Sequence, residues 1–149
     1  MSLLEFITAV VAVYGAGLST YVFLVERRDK KPRLKVGVSY GFLTFGPSLS
    51  DQMIFLEAVN TGSRPVFLDA PYLLLPDNKT IVFPTSSGDV NFPHELHAGR
   101  SCKIWVPLNE LSAALIREGY GSDVQLAACY RDQMGTRFRS KKFRFSLGD

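Results

Sequence analysis

The sequence predicts a mainly β protein, in which an antiparallel sandwich of about seven strands with one short helix follows a single transmembrane α-helix. Three observations support this prediction. Residues 6–25 contain no charged residue. From residue 34 onward, short runs of apolar and β-branched residues are separated by turn sequences rich in Gly, Pro, Asn and Asp. Residues 109–119 instead have the apolar spacing of a helix.

The uncharged segment has the length of a transmembrane helix. Residues 6–25 would extend about 30 Å as an α-helix, which matches the hydrocarbon core of a bilayer. A cleaved signal peptide is the alternative, but it requires a basic region before the apolar core. Here the basic cluster follows the apolar run. We therefore predict an uncleaved anchor over residues 1–25.

The basic residues after this segment predict its orientation. Six Lys and Arg residues lie between residues 26 and 35, and none precedes the apolar run. Because positively charged flanks stay on the cytoplasmic side, we expect the N-terminus outside an inner or plasma membrane and the following domain in the cytoplasm. Residues 26–33 are predicted to form a basic linker. Its first four cations are expected to contact anionic lipid headgroups: Arg27, Arg28, Lys30 and Lys31.

Small residues within the apolar segment predict a face for helix packing. Ala12 and Ala16 are four residues apart, as are Gly15 and Ser19, and such pairs allow close helix–helix approach in lipid. Gly and Ala are also common in membrane helices in general. The segment has no His and no internal Met or Cys, so we expect it to carry no haem or chlorophyll. We expect no cofactor for the protein as a whole.

Residues 34–149 are predicted to form the β domain. In residues 34–40 the apolar side chains of Leu34, Val36, Val38 and Tyr40 alternate with Lys35, Gly37 and Ser39. Further strands are predicted in six later runs: residues 52–60, 65–75, 80–83, 101–108, 124–132 and 136–147. The predicted helix has Asn109 as its N-cap and Gly119 as its stop signal.

Two segments give the chain a resemblance to a known fold. They are Ala58-Val-Asn-Thr-Gly-Ser-Arg-Pro-Val66 and Tyr130-Arg-Asp-Gln-Met-Gly-Thr-Arg-Phe138. Over roughly residues 34–147 the chain resembles an immunoglobulin-like β-sandwich. Trp105 departs from the antibody pattern because it lies three residues after Cys102 and not between paired cysteines. The resemblance implies a fold and no particular activity.

The residues that could carry catalysis or bind a metal form no complete set. His94 and His97 have a spacing that can hold a metal, but a structural zinc site needs four ligands and no second pair is present. Cys102 and Cys129 lie in apolar runs, where buried thiols are expected. The sequence contains no nucleophile elbow, phosphate loop or dinucleotide fingerprint. We therefore expect no catalytic residues, no metal site and no enzymatic activity.

The C-terminal basic run is the most informative surface feature. Arg137, Arg139 and Lys141 are predicted to share one strand face, with Arg144 outward after a change of phase. The pattern is compatible with an ordinary solvated sheet face. It is also typical of a surface that binds lipid headgroups or an acidic protein. The aromatic residues of this run alternate toward the core, so we expect no nucleic acid partner.

The sequence therefore favours a non-enzymatic accessory subunit of a larger membrane complex, with respiratory and photosynthetic complexes as first candidates. In this hypothesis the helix packs against integral membrane subunits and the sandwich docks on the cytoplasmic surface of the complex. The alternative is an oligomeric membrane effector whose sandwich binds a small anionic signal. A membrane-tethered enzyme with an unrecognised site is a third possibility.

Overall fold

The computed structural model describes residues 1–84 and 87–147. Residues 85, 86, 148 and 149 belong to the predicted β domain and lie outside the described residues. The chain separates into two compact units, Met1–Pro32 and Arg33–Asp149. The prediction of a mainly β protein with one long N-terminal helix and one short helix is confirmed.

The first unit is helix α1, Leu3–Asp29. It begins with a capping box, in which the Glu5 N–H donates to Ser2 Oγ and the Ser2 N–H donates to the Glu5 carboxylate. The helix continues through residues 26–29, which were predicted as linker, because no Gly or Pro occurs between Gly17 and Pro32. Its most apolar 18-residue window has a mean hydropathy of 1.8, so the helix is long and apolar enough to span a membrane.

The second unit contains thirteen strands within its described residues. Their number exceeds the seven predicted runs because several strands are only two or three residues long and one run is divided. The strands are β1 Leu34–Gly41, β2 Thr44–Phe45, β3 Ser48–Leu49, β4 Met53–Asn60, β5 Val66–Leu68, β6 Tyr72–Leu74, β7 Thr80–Val82, β8 Ser87–Gly88, β9 His94–Leu96, β10 Ser101–Pro107, β11 Val124–Arg131, β12 Arg137–Arg139 and β13 Phe143–Phe145.

These strands form two main antiparallel sheets. The first has the order β1-β4-β10-β8, and the second has the order β12-β11-β6-β7, with β13 also paired to β11. The short pairs β2-β3 and β5-β9 lie outside both sheets. The predicted run 65–75 is divided between β5 and β6, because Asp69-Ala-Pro71 interrupts it.

The two sheets share one apolar core. Alternate residues of β4 are completely buried, and so are Leu126 and Tyr130 of β11 to within 1%. The Tyr130 hydroxyl donates to the Leu56 carbonyl oxygen at 2.7 Å and so joins the second sheet to the first. Burial raises the pKa of Tyr130 far above its usual value, so the hydroxyl stays a donor at any physiological pH.

Helix α2, Leu108–Arg117, covers part of this core with Leu111 and Leu115. The prediction of Asn109 as the N-cap is wrong. The N-cap is Pro107, and Asn109 Oδ1 accepts from the adjacent Glu110 N–H at 2.8 Å. The helix begins earlier because Pro107 presets the extended backbone from which it starts. It ends as expected before Gly119, whose φ of +96° favours glycine.

Candidate functional site

The basic run forms the outer edge of the second sheet. Strand β12 pairs with β11 so that Arg137 lies opposite Arg131 and Arg139 lies opposite Cys129. Strand β13 pairs with β11 so that Arg144 lies opposite Gln125. Because Leu126, Ala128 and Tyr130 belong to the core, the intervening positions of β11 lie on the outer face. Arg137, Arg139 and Arg144 therefore share that outer face.

A β-bulge separates β12 from β13. Between the pairs Cys129–Arg139 and Leu126–Phe143, two residues of β11 face three residues of the return strand, 140–142. Ser140 replaces the missing ladder bonds: its N–H donates to the Ala128 oxygen at 2.8 Å, and its Oγ accepts from the Ala128 N–H at 2.9 Å. The extra residue explains the predicted change of phase before Phe143 and Phe145.

The bulge corrects the prediction for Lys141. This residue lies between β12 and β13 and not on the strand face with Arg137 and Arg139. Its neighbour Lys142, which the sequence analysis did not select, lines a cavity beside the bulge. No alternation rule selects Lys142, because a bulge interrupts the two-residue period on which such rules depend.

The cavity has a volume of about 170 Å³. Arg139 and Lys142 line it on the side of the return strand, and Gln125, Leu126 and Ala127 line it along β11. The remaining lining residues come from the end of β6 and the turn that follows it: Leu74, Leu75, Pro76 and Asn78. Ala127, whose side chain is a single methyl group, lies opposite Leu74 in this lining.

The cations of this surface differ in their partners. Arg144 forms an ion pair with Asp123. Among the residues that the structure describes, Arg137, Arg139, Lys141 and Lys142 form no ion pair. Within the described residues, this surface thus has one cation neutralised by an ion pair and four without one, of which Arg139 and Lys142 line the cavity.

Tyr72 and Cys129 lie beside these cations. Arg139, Cys129, Tyr72 and Val82 face one another across four strands, and the Cys129 thiol donates to the Tyr72 hydroxyl at 3.1 Å. Burial raises the pKa of Tyr72, and the hydrogen bond with Cys129 adds to the rise, while Arg137 and Arg139 lower it. Both arginines are therefore close enough to act electrostatically on the middle of the sheet.

A second exposed surface was not predicted from the sequence. The hairpin formed by β2 and β3 exposes 66% of Phe45 and 68% of Leu49, and the preceding Phe42 is 55% exposed. No charged residue occurs between Val36 and Ser50. Ser50 forms two hydrogen bonds with Leu43 at the base of the hairpin. Its N–H donates to the Leu43 oxygen, and its Oγ accepts from the Leu43 N–H, each at 2.8 Å.

The signal for this apolar hairpin was present in the sequence. An uncharged run with aromatic residues is equally typical of a buried strand, and the strand predicted from residue 34 extended into this run. Gly46, with φ of +63°, and Pro47 turn the chain within this run. The turn places Phe45 and Leu49 beyond the sheet, where no other described element covers them.

The predicted helix-packing residues lie on one side of α1. Ala12, Gly15, Ala16 and Ser19 fall within about 100° of one another around the helix axis. The described helix has no buried residue. Thr8 and Thr20 donate to the carbonyl oxygens four residues earlier, which satisfies these hydroxyls without water.

The four predicted headgroup cations surround the end of α1. Arg27 lies over the Phe23 ring at 5.0 Å from its centroid, and Lys30 pairs with Glu26 at 3.9 Å. Arg27 and Arg28 occupy the last turn, where positive charge favours the helix dipole. All four cations are exposed.

The two cysteines are free and buried. Burial, with contributions from Asp89 and Glu57, raises the pKa of the Cys102 thiol to about 12. This thiol is therefore protonated at neutral pH, and a protonated thiol is a poor nucleophile. His94 lies in β9, and the described residues contain no group of three His, Cys, Asp or Glu side chains placed to hold a metal ion.

Comparisons with known proteins add little to this description. No family model matches the chain, and no curated protein matches it. The chain is similar to the crystal structure of a Bordetella pertussis protein assigned as ApaA, with 15% identity over 78% of this chain and 95% of that chain and a TM-score of 0.40.

A second similar structure is an X-ray structure of a Northeast Structural Genomics Consortium target. It is 14% identical over 76% of this chain and 86% of that chain, with a TM-score of 0.37. Neither similarity is strong enough to carry an argument about fold or function.

Proposed function

We propose that the protein is a non-enzymatic, membrane-anchored accessory subunit of a larger membrane complex. The exposed apolar hairpin of β2 and β3 is the observation that carries this proposal. Phe45 is paired with Ser48 and Leu49 with Thr44, so the hairpin exposes a large apolar side chain on each of its two faces. Exposed apolar surface is typical of an interaction site, and aromatic side chains are enriched in the buried centres of protein interfaces.

A protein partner is favoured over a bilayer as the cover of this hairpin. Strand β1 begins at Leu34, where the β domain joins the preceding segment, and ends at Gly41, immediately before the hairpin. Seven residue steps at about 3.4 Å each separate these ends by roughly 24 Å. The hairpin therefore begins at the end of β1 opposite the residue at which the β domain joins the preceding segment, which suits contact with another subunit.

The membrane topology is part of the proposal. We infer that α1 spans an inner or plasma membrane, with its N-terminus outside and the β domain in the cytoplasm. The cations after the helix support this orientation. Protease added to sealed, right-side-out vesicles is expected to leave the β domain intact. Digestion of the domain, or a mature chain that begins after residue 25, would contradict the topology.

We also propose that the β domain belongs to the immunoglobulin-like sandwiches. The strand orders support this assignment. If β1, β4, β8 and β10 are strands A, B, D and E, the first sheet has the order A-B-E-D. If β6, β11 and the return strand β12–β13 are strands C, F and G, the second sheet contains C-F-G, with β7 as an additional strand. An experimental structure with a different strand order would overturn the assignment.

The native mass after mild detergent extraction tests the proposed role. We expect the protein to migrate in a complex much heavier than its own 16.6 kDa, with other integral membrane chains present at a fixed ratio. Recovery as a monomer, or as a homo-oligomer without other chains, would contradict the subunit role and favour the effector alternative.

A further inference from the structure

We propose that the cavity beside the bulge binds a phosphoryl group, in the form of a phosphomonoester or free phosphate dianion. The inference does not rest on the proposed subunit role. The cavity is lined by Arg139 and Lys142 from the return strand and by residues of β6 and β11 that include Leu74, Leu126 and Ala127.

The size of the cavity limits the ligand. A volume of about 170 Å³ is below the roughly 300 Å³ at which sites for drug-sized molecules begin. It accommodates a compact group such as a phosphoryl, with the remainder of a larger ligand in solvent. The cavity therefore suits recognition of a terminal charged group and not enclosure of a whole molecule.

The charges of the lining residues favour a dianion. Arg139 supplies a planar guanidinium that can donate two parallel hydrogen bonds, and Lys142 supplies a compact ammonium. No acidic residue lines the cavity, and within residues 1–84 and 87–147 neither cation forms an ion pair. Two uncompensated positive charges match a phosphoryl group better than a carboxylate, which carries one negative charge.

The surroundings strengthen the interaction. Leu126 and Ala127 are 1% and 5% exposed, so the wall of the cavity along β11 is well packed. Asn78 and Gln125 also line the cavity and carry neutral amide donors that can bind further phosphoryl oxygens. The bulge held by Ser140 fixes the backbone between the two cations, which limits the ordering needed on binding.

Calorimetric titration of the full chain in detergent micelles with inorganic phosphate tests the proposal. We expect saturable binding that the double variant Arg139→Gln/Lys142→Gln weakens by at least about tenfold. Arg144→Gln is the matched control, because Arg144 lies on the same face but is already paired with Asp123. We expect this variant to change the affinity by less than about twofold.

Two results would overturn the proposal: no saturable phosphate binding by the unsubstituted chain, or an equal loss of affinity in Arg144→Gln and the double variant. Fluorescence of the single Trp residue, Trp105, verifies that each variant is folded. The same titration in bilayer discs distinguishes the sources of the phosphoryl group. If phosphatidic acid in the disc competes with phosphate and phosphatidylglycerol does not, the ligand is a lipid headgroup. If neither lipid competes, the ligand is a soluble phosphoryl compound. Both results support the phosphoryl site.

Discussion

The two ends of the β1–β4 strand pair differ in how far the domain itself covers and satisfies their side chains. These strands pair along their whole length, from Leu34 opposite Asn60 to Gly41 opposite Met53. At the Asn60 end, a buried polar side chain has its hydrogen bonds satisfied within the domain. At the Gly41 end, the hairpin of β2 and β3 leaves large apolar side chains in contact with solvent.

At the Asn60 end, the hydrogen bonds of the buried side chain are all made within the domain. Asn60 is fully buried, its Nδ2 donates to the oxygens of Arg64 and Leu96 at 2.7 and 2.9 Å, and its Oδ1 accepts from the Gly62 N–H at 3.0 Å. A Cβ at Gly62 would approach the Arg33 nitrogen to 3.3 Å, so the turn is closely packed. The difference teaches that the domain's own contacts satisfy one end, while the other end leaves apolar side chains exposed, which we propose a partner covers.

The largest expected effect is on the Asn60 end. Replacement of Asn60 by Ala removes three hydrogen bonds and leaves the buried Leu96 oxygen without its partner. We expect the free energy of unfolding to fall by about 2–4 kcal/mol. Urea unfolding of the full chain in detergent micelles, followed by Trp105 fluorescence, measures this change. Thr61→Ala, at the neighbouring exposed position, is expected to cost less than about 0.5 kcal/mol; an equal loss in both variants would show that Asn60 has no special role.

An intermediate effect compares two serines with the same bonding pattern. Ser140 bonds both backbone groups of Ala128, which is fully buried, whereas Ser50 does so with Leu43, which is half-buried. We expect Ser140→Ala to lower the free energy of unfolding by about 1–2 kcal/mol, since the Ala128 N–H then lacks a partner. Ser50→Ala should cost less, about 0.5 kcal/mol, because water can replace its hydroxyl. The reverse order would contradict the view that the apolar hairpin contributes little to stability.

The smallest expected effect on stability is at the apolar hairpin itself. The double variant Phe45→Ser/Leu49→Ser removes side chains that are about two-thirds exposed. We expect its free energy of unfolding to differ from that of the unsubstituted chain by less than about 0.5 kcal/mol, because few of the contacts that stabilise the domain are lost. A loss of 2 kcal/mol or more, in the urea titration used for the Asn60 variants, would show that the hairpin belongs to the core.

The sequence predicted the parts of this structure that follow from periodicity. Helix α1 and the strand pattern of β1, β4, β10 and β11 depend on apolar spacing, which local sequence records directly. The inward orientation of Phe143 and Phe145 was also predicted, because the change of phase is visible in the alternation. Asn109 was misassigned because an N-cap depends on where the preceding strand ends, and that is set by the pairing of β10 with β4.

The cavity and the apolar hairpin were not predicted from the sequence, and each has a reason of its own. Lys142 reaches the cavity only because β11 pairs with a bulged return strand, and Leu74 comes from a strand more than fifty residues earlier. Phe45 and Leu49 have the composition of core residues, and only the turn at Gly46-Pro47 places them outside. The cavity arises from tertiary contacts that one-dimensional patterns do not contain, whereas the hairpin depends on a local turn in a run that is equally typical of a buried strand.

The most direct test of the account is recovery of the partner chains with the hairpin variant. The protein carrying Phe45→Ser/Leu49→Ser, and a control carrying Val82→Ser, would each be extracted from their own membranes with mild detergent. Val82 is 59% exposed but lies on β7 of the second sheet. The account predicts that the hairpin variant recovers at least about tenfold less of the partner chains, while the Val82 variant recovers the normal amount. Undiminished recovery with the hairpin variant would contradict the claim that this surface docks the domain on its complex.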